Sequence, residues 1–343
     1  MKMWIAPYRL KFKRPFGTAH GFRDGTDCVF VKLERQGVIG HGEATLPPYV
    51  KETPASVIAD LESVRLEDVA AGNFKLDPKR SPAARAALST AYFDLIAKEK
   101  GIPVKDLLQP GPIGNEQRSD LITLGITDPE KIIEELHQLP PFNALKVKLN
   151  GEQDEATLRK VIENDHRPIL IDANQAWGSV EHALRMIEVA GTDRLLGIEQ
   201  PFPVDRRDLQ AELSGRTTIT VYGDESIKDL DDLDRTAGSF SGINVKLMKC
   251  GGLDRAAELI RSAKEHGMKV MLGSMSESSL GCGALLQMAG GVDLIDLDGP
   301  WLIANDPFAG IELWNGQLVL VSSLGSGITE RSPSLLNWTP IGT

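Results

Sequence analysis

Ile169–Asn174 is a short apolar run, introduced by Pro168, that stops abruptly at the carboxylate of Asp172 and the carboxamide of Asn174. Asp is disfavoured in strands and costly to desolvate, so a carboxylate at the last position of a buried strand calls for a partner such as a cation. The same ending recurs at Ala144–Lys148, Gly197–Glu199, Ile219–Asp224, Ile243–Lys246, Val270–Ser274 and Leu294–Asp296. Successive endings lie roughly 25 residues apart, the length of a helix and two loops, which predicts strands alternating with helices in one parallel sheet. Closing such a sheet gathers the C-terminal ends on one rim, which here collects Lys146, Lys148, Asp172, Glu199, Asp224, Lys246, Ser274 and Asp296. Any one of these alone reads more readily as a solvated residue at the start of a loop. Solvated charges, however, have no reason to fall at the same register of every strand.

The 343 residues suffice for such a barrel and a second, smaller domain, and 41% hydrophobic with 25% charged residues is ordinary for a globular chain. A formal charge of −10 without a cluster of Lys and Arg argues against nucleic acid and for a small-molecule partner. Cys28, Cys250 and Cys282 are odd in number and far apart, which suits a reducing compartment without structural zinc. Met1–Ile5 leads straight to Pro7 and Arg9, and no apolar run reaches membrane-spanning length. The expectation is a cytoplasmic protein with no membrane partner; a homo-oligomer is compatible with the sequence.

Residues 1 to about 43 predict a small antiparallel sheet: Cys28–Glu34 alternates apolar and polar residues, and Gln36-Gly37 is a turn before Val38–Gly42. Arg14–Thr26, rich in Gly and polar residues but holding Phe16, Phe22 and Arg23, reads as a lid or as an ordinary surface loop. Thr53-Pro54 and Ser81-Pro82 each open a helix. The second places Ala84, Ala87, Leu88, Ala91 and Leu95 on one face and stops at Gly101, so that face should pack closely on a neighbour. Gln109–Gly114, with two prolines and two glycines, marks the domain boundary. This divides the chain into residues 1–114 with 305–343 returning to them, and a barrel of residues 115–304. Helices are expected at 129–139, 154–164, 179–190 and 253–266. An Asn315-Gly316 hairpin is expected among strands that rejoin the first domain.

Asp172, Glu199 and Asp224 are hard oxygen ligands, and three carboxylates with open positions suit Mg²⁺ rather than zinc; no His ends a strand. Lys148 and Lys246 come from opposite sides of the predicted barrel, giving a bound substrate a potential base on each face. Lys146, two residues from Lys148 on the same strand face, is expected to lower the pKa of its neighbour. A divalent metal with an amine base suits abstraction of a proton α to a carboxylate, with the metal stabilising the enediolate.

These residues carry a resemblance. Lys146-Val-Lys148, Asp172-Ala-Asn174, Glu199-Gln-Pro201, Gly223-Asp224-Glu225-Ser226 and the segment Lys246–Gly252 resemble, in order and over nearly the whole chain, the muconate-lactonizing subgroup of the enolase superfamily. The resemblance implies a (β/α)7β TIM-like barrel with an α+β capping domain formed by both ends of the chain. It also implies one Mg²⁺ per subunit on Asp172, Glu199 and Asp224, and Lys148 and Lys246 as the two bases. Asp296-Leu-Asp298 is similar to the motif with which dipeptide epimerases hold a free α-ammonium group, and Ser274 joins it on the substrate-binding side. Asp298-Gly-Pro300 and Gly21-Phe-Arg23 further resemble L-Ala-D/L-Glu epimerases, although other such enzymes place an Arg nearer His20 or Gly21.

The implied function is an isomerase that epimerises a dipeptide, L-Ala-D/L-Glu from peptidoglycan recycling, by 1,1-proton transfer at the α-carbon of its C-terminal residue through an enediolate. Arg23 is the candidate partner of an acidic side chain there. Two alternatives are a muconate-type cycloisomerase or o-succinylbenzoate synthase on the same scaffold, and a non-catalytic metal-binding barrel.

Overall fold

The computed structural model describes residues 1–18, 21–109 and 118–342. The expected boundary at 110–114 and His20 lie outside them. Strands β1 (Lys2–Thr18), β2 (Gly21–Arg35) and β3 (Val38–Leu46) form an antiparallel sheet that β16 (Thr339–Ile341) completes, in the order β16-β1-β2-β3. Gln36 and Gly37, with φ of 52° and 83°, make the two-residue turn between Arg35 and Val38; both central positions of such a turn need positive φ. Helix Pro82–Lys100 lies on this sheet with its Ala84, Ala87, Leu88, Ala91 and Leu95 face fully buried. The approach is close because Gly42 faces it, where a Cβ atom would stand 1.9 Å from the Ala87 carbonyl oxygen. Ser81 precedes the helix as predicted, but its hydroxyl donates to Asp60, and the carboxylate of Glu52 accepts from the N–H groups of Ala83 and Ala84 instead.

The expected polar loop at 14–26 is mostly strand. After an irregularity between Lys11 and Phe16 the hairpin resumes with Phe16 opposite Arg23 and Gly17 opposite Phe22. Glycines at 17, 21 and 25 hide the alternation from a pattern search, while backbone pairing holds the segment extended. This arm reaches the barrel, where the Ile126 N–H donates to the Gly17 carbonyl.

Eight parallel strands close the barrel. They are β4 (Ser119–Leu124), β5 (Ala144–Lys148), β6 (Ile169–Asp172), β7 (Leu195–Glu199), β8 (Val221–Gly223), β9 (Gly242–Val245), β10 (Lys269–Gly273) and β11 (Leu294–Asp296), paired in that circular order. Apolar residues such as Leu121, Leu170, Tyr222 and Met271 fill its interior, as a barrel of this size requires. The amphipathic helices Asp154–Asn164, Val180–Ala190 and Leu253–Glu265 cover it where the sequence predicts them. No helix among the described residues is long and apolar enough to cross a membrane.

The C-terminal residues divide. Strand β12 (Phe308–Ala309) pairs with β15 (Thr329–Glu330), and Phe308 packs on Phe30 of the cap. The predicted Asn-Gly hairpin forms from β13 (Ile311–Trp314) and β14 (Gln317–Leu320) but does not join the cap sheet. It docks at the N-terminal end of β4, where the Leu318 N–H donates to Asp120 at 2.6 Å and Arg118 donates to the Leu318 carbonyl. Cap and barrel are joined through Glu43 of β3, a fully buried carboxylate that accepts from the N–H groups of Ser278 and Gly281, both at 2.9 Å. An acid at the start of helix Ser279–Leu286 satisfies N–H groups the helix cannot.

Candidate active site

The C-terminal rim and the cap arm enclose a cavity of about 600 Å³, lined by Arg23, Lys146, Lys148, Asp224, Lys246, Ser274, Asp296 and Asp298 among others. Asp172 and Glu199, 1% and 0% exposed, lie directly against two of these lining residues, Glu199 at 2.7 Å from Lys146 and Asp172 at 2.7 Å from Lys148. Every rim residue singled out from sequence is therefore brought to one place. Lys148 ends β5 and Lys246 follows β9, four strands away round an eight-strand barrel and hence on the opposite wall.

The floor is an alternation of charges. Lys146 Nζ reaches Glu199 and Asp296, both at 2.7 Å, and Asp172 at 3.1 Å; Lys148 Nζ meets the same Asp172 oxygen at 2.7 Å. Lys246 lies 2.8 Å from Asp224 and 3.9 Å from Glu199. Burial alone would pull the Lys146 and Lys246 ammonium groups down, but the carboxylates around them outweigh it and hold both above their ordinary value. Asp172 is likewise held below the usual range against its burial, by Lys146 and Lys148. Glu199 is pushed up to about 7 by burial and by the charge of Asp172.

As the side chains stand, ammonium groups lie between the carboxylates, and no three His, Cys, Asp or Glu side chains among the described residues are gathered closely enough to hold a metal ion. The donor set nevertheless fits a hard divalent cation: three carboxylates end consecutive strands. Buried oxygens of Glu225, Asn174 and Asn244 also lack a hydrogen-bond partner among the described residues. Asp172, Glu199 and Asp224 are the residues that could hold it.

Further side chains support these carboxylates. Asn244 donates to Glu199 at 2.7 Å, and Lys249 holds Asp224. Gln200 accepts from the N–H groups of Asp224 and Ser226. Gln200 and Lys249 stand inside the motifs quoted for the resemblance, so their positions were visible although their contacts were not. Asn244, two residues before Lys246 on the same strand face, had the same period-two signal that paired Lys146 with Lys148.

On the far wall Thr123 donates its N–H to Asp298 at 2.8 Å and its hydroxyl to Asp296 at 3.4 Å, while the Ser274 N–H donates to the Asp296 carbonyl. Burial and the neighbouring Asp296 push Asp298 up to about 6. Arg23 descends from the cap, 8% exposed, with its guanidinium over the rings of Phe12 and Tyr49 and a 3.3 Å bond to the Ser276 hydroxyl. Its Nε and Nη1 have no partner among the described residues, and burial lowers its pKa.

Residues 131–309 match the enolase C-terminal domain-like family, and residues 2–109 match the mandelate racemase / muconate lactonizing enzyme N-terminal domain. The chain belongs to the enolase superfamily. Within that superfamily it is 37% identical to the L-Ala-D/L-Glu epimerase of Bacteroides thetaiotaomicron, over 96% of this chain and 88% of that protein. It is 30% identical to the L-Ala-D/L-amino acid epimerase of Flavobacterium johnsoniae, over 96% and 99%. The crystal structure of a dipeptide epimerase from Enterococcus faecalis, complexed with Mg and L-Leu-L-Tyr, superposes with a TM-score of 0.83 at 26% identity, covering 96% of this chain and 99% of that one.

Proposed function

We propose that this superfamily member is an isomerase, a Mg²⁺-dependent dipeptide epimerase that inverts the α-carbon of the C-terminal residue, with an acidic dipeptide such as L-Ala-L-Glu as its substrate. The observation that carries the reading is the placement of Lys148 and Lys246 on opposite walls of one cavity, over a floor of Asp172, Glu199 and Asp224. The names of the relatives support the dipeptide class.

Asp172, Glu199 and Asp224 would hold one Mg²⁺, which supplies positive charge to the substrate carboxylate as the α-proton leaves. Lys148 and Lys246 face the α-carbon from either side: the Nζ that is neutral accepts the proton, the C–H electron pair moves toward the carboxylate, and the other Nζ, as an ammonium, delivers its proton to the opposite face, which leaves the two lysines with exchanged protonation states. Lys146, enclosed by three carboxylates, keeps them apart and in place rather than exchanging protons itself. Asp296 and Asp298 meet the substrate ammonium group, and the unpartnered guanidinium nitrogens of Arg23 meet an acidic side chain.

The test is incubation with a dipeptide library in D₂O, followed by mass spectrometry and chiral analysis. The proposal expects one deuterium per turnover at the C-terminal residue of Ala-Glu, lost on chelation and restored by Mg²⁺. Exchange undiminished in excess chelator would remove the metal from the account, and exchange with no dipeptide would overturn it.

A further inference from the structure

A second cavity of about 320 Å³ lies behind the catalytic one and shares three wall residues with it: Phe16, Thr123 and Leu302. Thr123 donates to both Asp296 and Asp298, and Leu302 ends the one-turn helix Gly299–Leu302 that starts directly after Asp298. Phe16 comes from the cap arm, just past the irregular stretch of the β1–β2 pairing, and packs edge-on against Phe12. The partition between the two cavities is thus built around the aspartate pair. Beyond it the wall is apolar over Ile122, Leu124, Leu139 and Trp301, with a polar edge where Lys13 stands and where the Arg14 guanidinium is already engaged by Glu135 and Gln138. Such a space suits an uncharged guest, and its volume matches pockets that hold whole small ligands, about 300 Å³ and upward.

We infer that Phe16 and Leu302 set the size of the substrate's N-terminal residue, and that the cavity behind them is an apolar subsite for a larger side chain at that position. The inference rests on the proposed function, which places the substrate ammonium at Asp296 and Asp298. The N-terminal side chain is one bond from the carbon bearing that ammonium, so it must point at a nearby wall. An alanine methyl group stops at the partition. A leucine or phenylalanine side chain passes it only if Phe16 or Leu302 gives way.

The test compares kcat/KM for Ala-Glu, Leu-Glu and Phe-Glu in the native protein, Phe16→Ala and Leu302→Ala. The native protein should favour Ala-Glu by at least about 10-fold, the size of effect one or a few methylenes have in an apolar pocket. Each variant should raise the Leu-Glu to Ala-Glu ratio by about 10-fold or more. A purely structural defect would lower both substrates together and leave the ratio where it was. Phe16 lies on the cap arm, away from the barrel interior, so its truncation reads the partition even if Leu302→Ala folds poorly. A native ratio near one, or ratios unmoved in folded variants of an active protein, would overturn the subsite alone. A native protein inactive on every dipeptide would overturn the proposed function and the subsite with it.

Discussion

Lys249 Nζ lies 2.5 Å from Oδ1 and 2.7 Å from the backbone carbonyl oxygen of Asp224, so one lysine fixes both ends of a single residue. The carbonyls of Asn244 and Ile227 complete its surroundings at 2.8 and 3.2 Å. Lys246 approaches the other carboxylate oxygen, Oδ2, at 2.8 Å. The two lysines of the Lys246-Leu-Met-Lys249 segment therefore divide the carboxylate between them.

Lys249→Met should leave Oδ1 unheld and let the carboxylate rotate. Titration calorimetry with Mg²⁺ is expected to show an affinity loss on the order of 10- to 100-fold, the usual effect of removing a group that orients a metal ligand. An unchanged Kd in a folded variant would show that Asp224 keeps its orientation without this lysine.

Arg23→Ala should erode the preference for an acidic C-terminal residue. A buried guanidinium with two unpartnered nitrogens gains more from a carboxylate than an exposed one, so the kcat/KM ratio of Ala-Glu to Ala-Leu should fall by about 10- to 100-fold. The same ratio in native and variant protein would take Arg23 out of substrate selection.

Stability at acid pH should depend on His41. Burial, with smaller contributions from Lys98 and Lys32, holds its imidazole down at about 3; Glu330 stands 3.8 Å away and does not compensate. The native pKa lies below the unfolded one, so the unfolded chain binds the extra proton, and the stability His41 contributes is present above about pH 6.5 and is lost as pH falls toward 3. His41→Leu should flatten the difference in denaturant midpoint between pH 7 and pH 4 relative to the native protein. Parallel pH profiles for the two proteins would show that His41 titrates normally.

The rim was legible because each strand ends in a residue whose burial would be costly without partners; Lys148, Asp172, Glu199 and Asp224 followed from that alone. The face of helix Pro82–Lys100 was legible for the same kind of reason, since a stripe of alanines has use only in close packing. The ion pairs of Lys146 were not, because they join β5 to β6, β7 and β11, and no local pattern records which side chain will reach which. The cap arm is not legible as strand, because glycine removes the alternating side chains that mark one. The hairpin at Asn315-Gly316 shows the complementary case: turn chemistry fixed its shape, while its docking place depends on Arg118 and Asp120, nearly 200 residues earlier.

The most direct test of a two-sided site is solvent deuterium exchange into each epimer of Ala-Glu by Lys148→Ala and Lys246→Ala. Each variant should lose epimerisation by at least about 10²-fold, the contribution of a positioned acid or base. Each should still exchange the α-proton of one epimer, and the two variants should retain opposite epimers. Both variants exchanging the same epimer, or either epimerising at the native rate, would contradict the placement of one base on each face.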